Sequence, residues 1–189
     1  MGPRKSSLDE ALKHEMTKAR REAGLRVSDQ ELASEDLDSL ALRLANMFMM
    51  PTVDLGRPTC GVPQDVSMGV GHERGVRVVF SVPVTSGAVA CDLLEMELGS
   101  LEEAHLDKRE ERVVFTYESG EPSRESIAAF CDANDKALKA LVKRNNAAIA
   151  KHDDSLVPAF SGALAARKER AKERRDLVEG LPYDLEELS

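Results

Sequence analysis

The chain has 189 residues, enough for one domain of ordinary size or one domain with an appendage. Its 34 acidic side chains outnumber its 26 basic ones, and the formal net charge of −8 does not favour general affinity for nucleic acid or anionic lipid. No apolar run approaches the roughly 18 residues that a membrane-spanning helix needs, so no membrane association is predicted.

The three cysteines, Cys60, Cys91 and Cys131, lie far apart and form no CxxC pair. An odd number of cysteines without a recognisable signal peptide is typical of reduced thiols in the cytoplasm. We therefore predict a cytoplasmic protein whose cysteines are small, buried apolar residues.

Two helices are predicted in the N-terminal segment, residues 1–50. The first begins with a capping box at Ser7 and is expected to end at Gly24. The second covers residues 35–49, with an earlier start at Asp29 left open, and carries an apolar stripe at helical spacing. Both helices could also form an arm that docks on a neighbouring chain.

A cluster of four large apolar residues, Met47, Phe48, Met49 and Met50, lies at the end of the second helix. Methionine packs adaptably and is common both in irregular core gaps and at contact surfaces. Core filling is the favoured interpretation, and a candidate interaction surface is the alternative.

Residues 51–74 are rich in Gly and Pro and show no periodicity, which predicts a loop or linker. The run from Gly69 to Gly75 superficially resembles a phosphate-binding loop. It precedes a strand and does not lead from a strand into a helix, so the geometry that aims backbone amides at a phosphate is missing. No nucleotide site is predicted there.

Three strands are predicted after this loop. Residues 75–84 alternate apolar and polar most clearly, and residues 94–98 and 112–117 show the same period of two. Alternation with one polar face predicts an antiparallel sheet with one face against helices.

The stretch beginning at Ser123 is predicted as a pair of helices. Ser123 is the expected N-cap of a helix over residues 123–152, and the aspartates at 153–154 are expected to break it. Pro158 then fits the first turn of a second helix, which Gly180 would end. A short connection predicts an antiparallel hairpin.

The predicted fold is therefore of the α+β class, with a small antiparallel three-stranded sheet packed on a long antiparallel helical hairpin. The domain organisation is an N-terminal helical segment over residues 1–50, a linker over residues 51–74, a main domain over residues 75–182 and an acidic tail over residues 183–189.

No residue is predicted to be catalytic or to bind a metal, and no cofactor is implied. Asp92, Glu95 and Glu97 resemble the acidic part of a metal-dependent nuclease site, but no lysine is expected beside them and a solvated strand face explains them. The histidines are isolated in the sequence: His14, His72, His105 and His152.

The most charged feature is the basic segment, residues 167–176. Its six cations, set among three acidic residues, are Arg167, Lys168, Arg170, Lys172, Arg174 and Arg175. The acidic residues are expected to form intrahelical ion pairs, and no aromatic side chains are interleaved for base stacking. A solvated face is the favoured interpretation, followed by contact with an acidic protein surface and then by contact with nucleic acid.

One resemblance covers residues 75–182. The strand and turn at 78–87, the helix bearing Asn pairs at 145–146 and His-Asp at 152–153, and the Arg-rich helix after it resemble a little-characterised bacterial module. In that module the strand often reads VPxTGD, and Ala88 stands here in place of the expected Asp. The module is similar to non-catalytic segments attached to, or encoded beside, effector domains of prokaryotic anti-phage systems. The resemblance implies sensing or assembly and assigns no catalytic residue.

The predicted function is that of a non-catalytic interaction, sensor or assembly subunit with a protein partner or a second copy of itself. Two alternatives stay open. One is a nucleic-acid-binding module that uses residues 167–175, and the other is an enzyme whose site is unfamiliar or shared with a second chain.

Overall fold

The computed structural model describes residues 7–68, 73–177 and 179. Within these ranges the helices are α1 (Leu8–Arg26), α2 (Asp29–Ser34), α3 (Leu37–Phe48), α4 (Ala88–Leu98) and α5 (Arg124–Asp176). The strands are β1 (Thr59–Cys60), β2 (Gln64–Met68), β3 (Glu73–Pro83), β4 (Ala104–Asp107) and β5 (Arg112–Ser119). The prediction of mixed helix and antiparallel sheet is confirmed.

The described residues form two compact units. Unit 1 contains residues 7–13 and the described part of Met50–Lys151, and unit 2 contains His14–Met49 and the described residues from 152 onward. The division therefore falls within helices α1 and α5. Each unit combines two segments that are far apart in the sequence, whereas the predicted domains were consecutive segments of the chain.

The sheet of unit 1 has five strands, so the predicted three-stranded sheet was too small. β3 is its centre: β5 pairs with one side of β3, both β1 and β2 pair with the other side, and β4 pairs with the outer side of β5. All pairings are antiparallel, and the register places Phe80 opposite Phe115. Strands β3 and β5 confirm the predictions at 75–84 and 112–117.

One face of the sheet packs on α4 and on part of α5. The alternation of β3 buries Val78, Phe80 and Val82, and the last two belong to one core cluster with Leu94 and Leu138. The predicted strand at 94–98 was wrong, because these residues are the last turns of α4. Leucines at 94 and 98 fit a strand as two steps of two and a helix as one step of four.

The predicted loop or linker at 51–74 contains β1 and β2, and both strands pair with β3. The side-chain amide of Asn146 on α5 forms two hydrogen bonds with the backbone of Val53: Val53 N–H donates to Oδ1 at 2.8 Å, and Nδ2 donates to the carbonyl at 2.9 Å. The structure therefore has two short strands within the segment for which the sequence predicted a loop or linker. The rejected phosphate loop lies partly outside the described residues, at 69–72.

Unit 2 is helical throughout the residues that the structure describes. Its core joins α1, α2 and α3 to the later part of α5, and the buried residues are Ala19, Val27, Leu32, Leu40, Ala41, Leu44, Ala45, Leu156, Phe160 and Leu164. The capping box predicted at Ser7 is present in α1, but that helix continues past Gly24 to Arg26. Ser28 is the N-cap of α2, and Asp36 is the N-cap of α3. The region from Asp29 to residue 49, which could have been one helix by the sequence, is therefore two helices.

Helix α5 is one helix of 53 residues, so the predicted hairpin with a break at 153–154 was wrong. Ser123 caps it as predicted: Ser126 N–H donates to Ser123 Oγ at 3.0 Å, and Ser123 N–H donates to Ser126 Oγ at 3.0 Å. The helix continues because its buried positions keep steps of three and four through the aspartates: Leu138, Leu141, Asn145, Ile149, His152, Leu156, Phe160 and Leu164. Gly180 and the acidic tail at 183–189 lie outside the described residues.

Pro158 lies in the interior of α5, where it lacks the N–H that would donate to the carbonyl of Asp154. One turn earlier, Ser155 Oγ donates to the carbonyl of His152 at 2.6 Å. The proline is tolerated because Leu156 and Phe160 on either side of it are fully buried in unit 2.

Replacing Pro158 by alanine should stabilise unit 2. The substitution restores one intrahelical hydrogen bond and removes the steric conflict of the ring, so the free energy of unfolding should rise by about 1–3 kcal/mol. Urea unfolding followed by circular dichroism measures the change. Gly162→Ala is the calibrating variant, because an added Cβ there has nothing within 4 Å and should contribute about 1 kcal/mol. A P158A protein less stable than the wild type would contradict the prediction.

The start of α2 should make stability depend on acid pH. Hydrogen bonds from Ser28 backbone and hydroxyl, and then from Arg43, lower the pKa of Glu31 from its ordinary 4.5 to about 2. A carboxyl with a depressed pKa stabilises the folded state above pH 4.5, and that stabilisation is lost as the pH falls from 4.5 towards 2. Glu31→Gln should remove this part of the pH dependence of urea unfolding. Glu35→Gln, also beside Arg43 but outside the cap, should retain it.

Candidate functional site

The basic segment lies on the last turns of α5, beyond the final fully buried residue of the stripe, Leu164. Its positions are helical because no Gly or Pro interrupts them and because Lys, Arg, Glu and Ala all favour the helix. Five of its six cations are exposed, and only Arg167 is partly buried. Cations at this end are also favourably placed against the negative end of the helix dipole.

A cationic groove lies between this segment and α1, within unit 2. We call it the arginine groove; its volume is about 540 Å³, and its lining residues are Arg20, Ala163, Leu164, Arg167, Arg170, Glu173 and Arg174. Four arginines therefore face one glutamate, above an apolar floor of alanine and leucine. The lining is therefore positively charged, in a protein whose formal net charge is −8.

The predicted intrahelical ion pairs of the basic segment are not formed among the described residues. Arg170 Nε donates instead to the carbonyl of Ala166 at 3.1 Å, and Arg174 Nε donates to the carbonyl of Arg170 at 3.3 Å. Within the described ranges no carboxylate forms an ion pair with Arg20, Arg170 or Arg174. The prediction failed because these side chains fold back on the helix backbone, so their charge is not cancelled locally.

Arg167 differs from the other cations because it forms hydrogen bonds to another part of unit 2. One terminal nitrogen of its guanidinium donates to the carbonyl of Val27 at 2.6 Å, and the other donates to Asp29 Oδ1 at 2.6 Å. These bonds fasten the connection between α1 and α2 to α5. Arg167 therefore lines the arginine groove as a partly buried residue that is engaged within unit 2, unlike the exposed arginines of the same lining.

A second groove, of about 780 Å³, lies between α2 and the other flank of α5. Lys168, Lys172, Arg174 and Arg175 line it. They are balanced by four carboxylates in the same lining: Asp29, Glu169, Asp176 and Glu179. The two flanks of α5 thus differ in charge, and the larger groove offers no electrostatic preference for an anion.

The methionine cluster does not form one surface. Met47 and Met49 are each 56% exposed in unit 2, whereas Phe48 packs on Phe160 with ring centroids 5.7 Å apart. Met50 belongs to unit 1 and packs beside its buried cluster around Leu93. Only two of the four predicted residues are therefore accessible on unit 2.

The acidic residues compared above with a nuclease site do have a lysine beside them, contrary to prediction. Lys108 Nζ lies 2.8 Å from Asp92 Oδ1 and 2.7 Å from Glu95 Oε2, and these hydrogen bonds raise the pKa of the lysine. The carboxylate of Glu97 contacts α1 instead, where its Oε1 accepts a hydrogen bond from Leu8 N–H at 3.0 Å. All three acidic residues lie on α4, and the ion pairs with Lys108 are solvent-exposed.

The cysteines have three different environments. Cys91 is buried as predicted, but Cys60 is exposed, which the sequence did not indicate. Its sulfur lies 4.0 Å from that of the partly buried Cys131. A separation of 71 residues hides this pair from any spacing motif.

In the described part of the chain, no group of three or more His, Cys, Asp or Glu side chains is arranged to hold a metal ion. None of the helices described here has the length and apolar character to cross a membrane. No protein-family model, curated protein or solved structure matches the chain.

Arg167→Ala should destabilise unit 2 by about 2 kcal/mol, because it removes a charged hydrogen-bond donor from two oxygen partners and leaves the carbonyl of Val27 without it. Arg170→Ala is the matched control, since it is exposed and bonds only within its own helix. Urea unfolding of both variants measures the difference. Equal effects of the two substitutions would refute the distinction between Arg167 and its neighbours.

Proposed function

We propose that this protein is a non-catalytic interaction subunit that binds an acidic surface of another protein through the arginine groove of unit 2. The observation that carries the proposal is the convergence of Arg20, Arg170 and Arg174 without an ion-pair partner among the described residues. Unpaired cations brought together by two different helices favour an anionic ligand from outside the unit.

The chemistry of the groove suits carboxylates. Each guanidinium offers planar, paired donors that match the two oxygens of a carboxylate, and arginine loses less hydration than lysine on contact. The apolar floor of Ala163 and Leu164 adds space for an apolar side chain next to the acid. A segment in which acidic and apolar residues alternate combines both contacts.

A protein is favoured over nucleic acid for three reasons. Glu173 lies within the groove and would repel a continuous phosphate backbone, and its lining has no aromatic ring for base stacking. The net charge of −8 also opposes the approach of a long polyanion. Nucleic-acid binding stays the second candidate, since arginine binds phosphate as well as carboxylate.

The resemblance of residues 75–182 to accessory modules of anti-phage systems remains a prediction, and with it a cytoplasmic role in sensing or assembly. A second copy of this chain is itself an acidic protein and is one form that the partner could take. The two exposed methionines of unit 2, Met47 and Met49, would add adaptable apolar contacts to an interface of this kind.

Charge reversal in the groove should weaken the binding of an acidic probe. The double variant Arg170→Glu/Arg174→Glu should bind a labelled peptide of alternating Glu and Leu at least about ten-fold more weakly than the wild type, since one factor of ten corresponds to about 1.4 kcal/mol. Fluorescence anisotropy measures the affinity. Lys143→Glu/Arg144→Glu is the matched control: both residues are exposed on α5, in unit 1, and the charge change is the same.

The same three proteins separate the two ligand classes. If duplex or single-stranded DNA binds more tightly than the acidic peptide, with affinity that falls steeply with salt, the nucleic-acid alternative replaces the proposal. If the control variant loses peptide binding as strongly as the groove variant, the effect is one of net charge and the groove is not the site. Intact-mass measurement of the complex co-purified from the source organism then identifies the partner and shows whether it is a second copy.

A further inference from the structure

Unit 1 holds a pair of thiols that is independent of the arginine groove. Cys131 Sγ of α5 lies 4.0 Å from Cys60 Sγ of β1, in the geometry of a weak S–H···S hydrogen bond. Cys60 is exposed, and Cys131 is partly buried beside the apolar core of the unit. Cys60 is therefore the more accessible of the two residues.

The sheet register explains why the two sulfurs face each other. Cys60 lies directly opposite Phe80 of β3, and residues opposite each other in antiparallel strands project from the same face of the sheet. Phe80 projects into the core against α5, so Cys60 projects towards α5 as well. Because β1 is at the edge of the sheet, Cys60 lies at the rim of the core and remains accessible.

The backbone on both sides of the pair is held in place. Gly61 N–H donates to the carbonyl of Val79 at 2.7 Å, and the hydroxyl groups of Thr59 and Ser81 are 2.9 Å apart. Cys131 lies in the second turn of α5. A disulfide requires a sulfur–sulfur distance of about 2.05 Å, so closing the gap needs a movement of about 2 Å, which rotation of the exposed Cys60 side chain can supply.

We propose that Cys60 and Cys131 are a peroxide-sensitive thiol pair that closes into a reversible disulfide between the edge strand β1 and helix α5. The oxidant is a hydroperoxide, and the disulfide is returned to two thiols by a dithiol reductant. The modification fastens an edge strand of only two residues to the helix that forms the core of unit 1.

The reaction takes two steps. Cys60 releases its proton and its sulfur attacks one peroxide oxygen; the O–O bond breaks, and the second oxygen leaves with that proton as water, so that Cys60 becomes a sulfenic acid. The Cys131 sulfur then attacks the Cys60 sulfur, the S–O bond breaks, and the hydroxyl leaves as water with the proton of Cys131. Two thiols and one hydrogen peroxide thus give one disulfide and two waters.

The environments of the two sulfurs assign the order of the steps. Burial, and then the adjacent Cys60 sulfur, raise the pKa of Cys131 to about 11, so this thiol stays protonated until Cys60 has been oxidised. Cys60 meets the oxidant first because it is the exposed member. Cys91 takes no part, since it is buried in the core and burial also raises its pKa.

The test treats the full-length protein with hydrogen peroxide and measures its intact mass under non-reducing conditions. The wild type and Cys91→Ala should each lose about 2 Da, for two hydrogens, and peptide mapping should link the peptides that contain Cys60 and Cys131. Dithiothreitol should reverse both results. Closure should also raise the Tm of unit 1 by about 5–10 °C, as for a disulfide that closes a long loop.

Two further variants distinguish the roles of the sulfurs. Cys131→Ser should stop at the sulfenic acid, which dimedone traps on Cys60, whereas Cys60→Ser should leave Cys131 unlabelled. Each substitution is conservative, and Cys60 is exposed, so both proteins should fold. Oxidation of Cys60 to sulfinic or sulfonic acid in the wild type without the linked peptides, or linkage only between two chains, would overturn the proposal. Dimedone labelling of Cys131 in the Cys60→Ser protein would overturn the order of the steps.

Discussion

The apolar stripe of α5 is the constraint on which the rest of the structure depends. Leu138, Leu141 and Ile149 are fully buried in unit 1, and Leu156, Phe160 and Leu164 are fully buried in unit 2. Burying six such side chains contributes on the order of 10 kcal/mol, which is comparable to the net stability of a whole domain. In unit 1 these side chains pack with the buried residues of the sheet and α4, and in unit 2 with those of α1, α2 and α3, so the one helix supplies part of both cores. The five-stranded sheet and the short helices α1–α3 cover what α5 would otherwise expose.

Two polar side chains keep the spacing of this stripe. Asn145 and His152 are 2% and 7% exposed, and they occupy positions where steps of three and four require a buried residue. His152 Nδ1 lies 3.0 Å from Asp153 Oδ1, so one of the two aspartates expected to break the helix instead serves a buried histidine. The neighbouring Asn146 uses its amide to hold Val53. Asn145 and His152 therefore keep the helical spacing of the buried positions, and the chain stays helical there.

These details decide how much of the fold could be predicted from the sequence. β3 and β5 were found because period-two alternation of Val and Phe has no helical counterpart. The turns of α4 were assigned to a strand because Leu94 and Leu98 satisfy both periods. The hairpin was predicted because the aspartates at 153–154 and Pro158 are typical of a helix break followed by a new first turn, whereas the buried positions continue through them. β1 and β2 were missed because Gly and Pro are frequent around them, although pairing with β3 and the hydrogen bonds of Asn146 order the segment.

The thiol pair depends on the register of β1 against β3. No local sequence pattern encodes a contact between two residues that are 71 positions apart.

The arginine groove lies at the position on α5 where the apolar stripe ends. After Leu164 the next position in phase is Arg167, which is partly buried and bonds to the carbonyl of Val27, and no fully buried residue follows it among the described residues. Beyond this point the side chains of α5 have no core to fill. Glu and Lys residues that form ion pairs within the helix would be sufficient for an exposed helix end. Arg170 and Arg174 instead lie, without an ion-pair partner among the described residues, on the flank that faces α1, which contributes Arg20, while the lining of the groove beside α2 is balanced in charge. A solvated helix end requires no such asymmetry, but a surface that selects an anion on one side does.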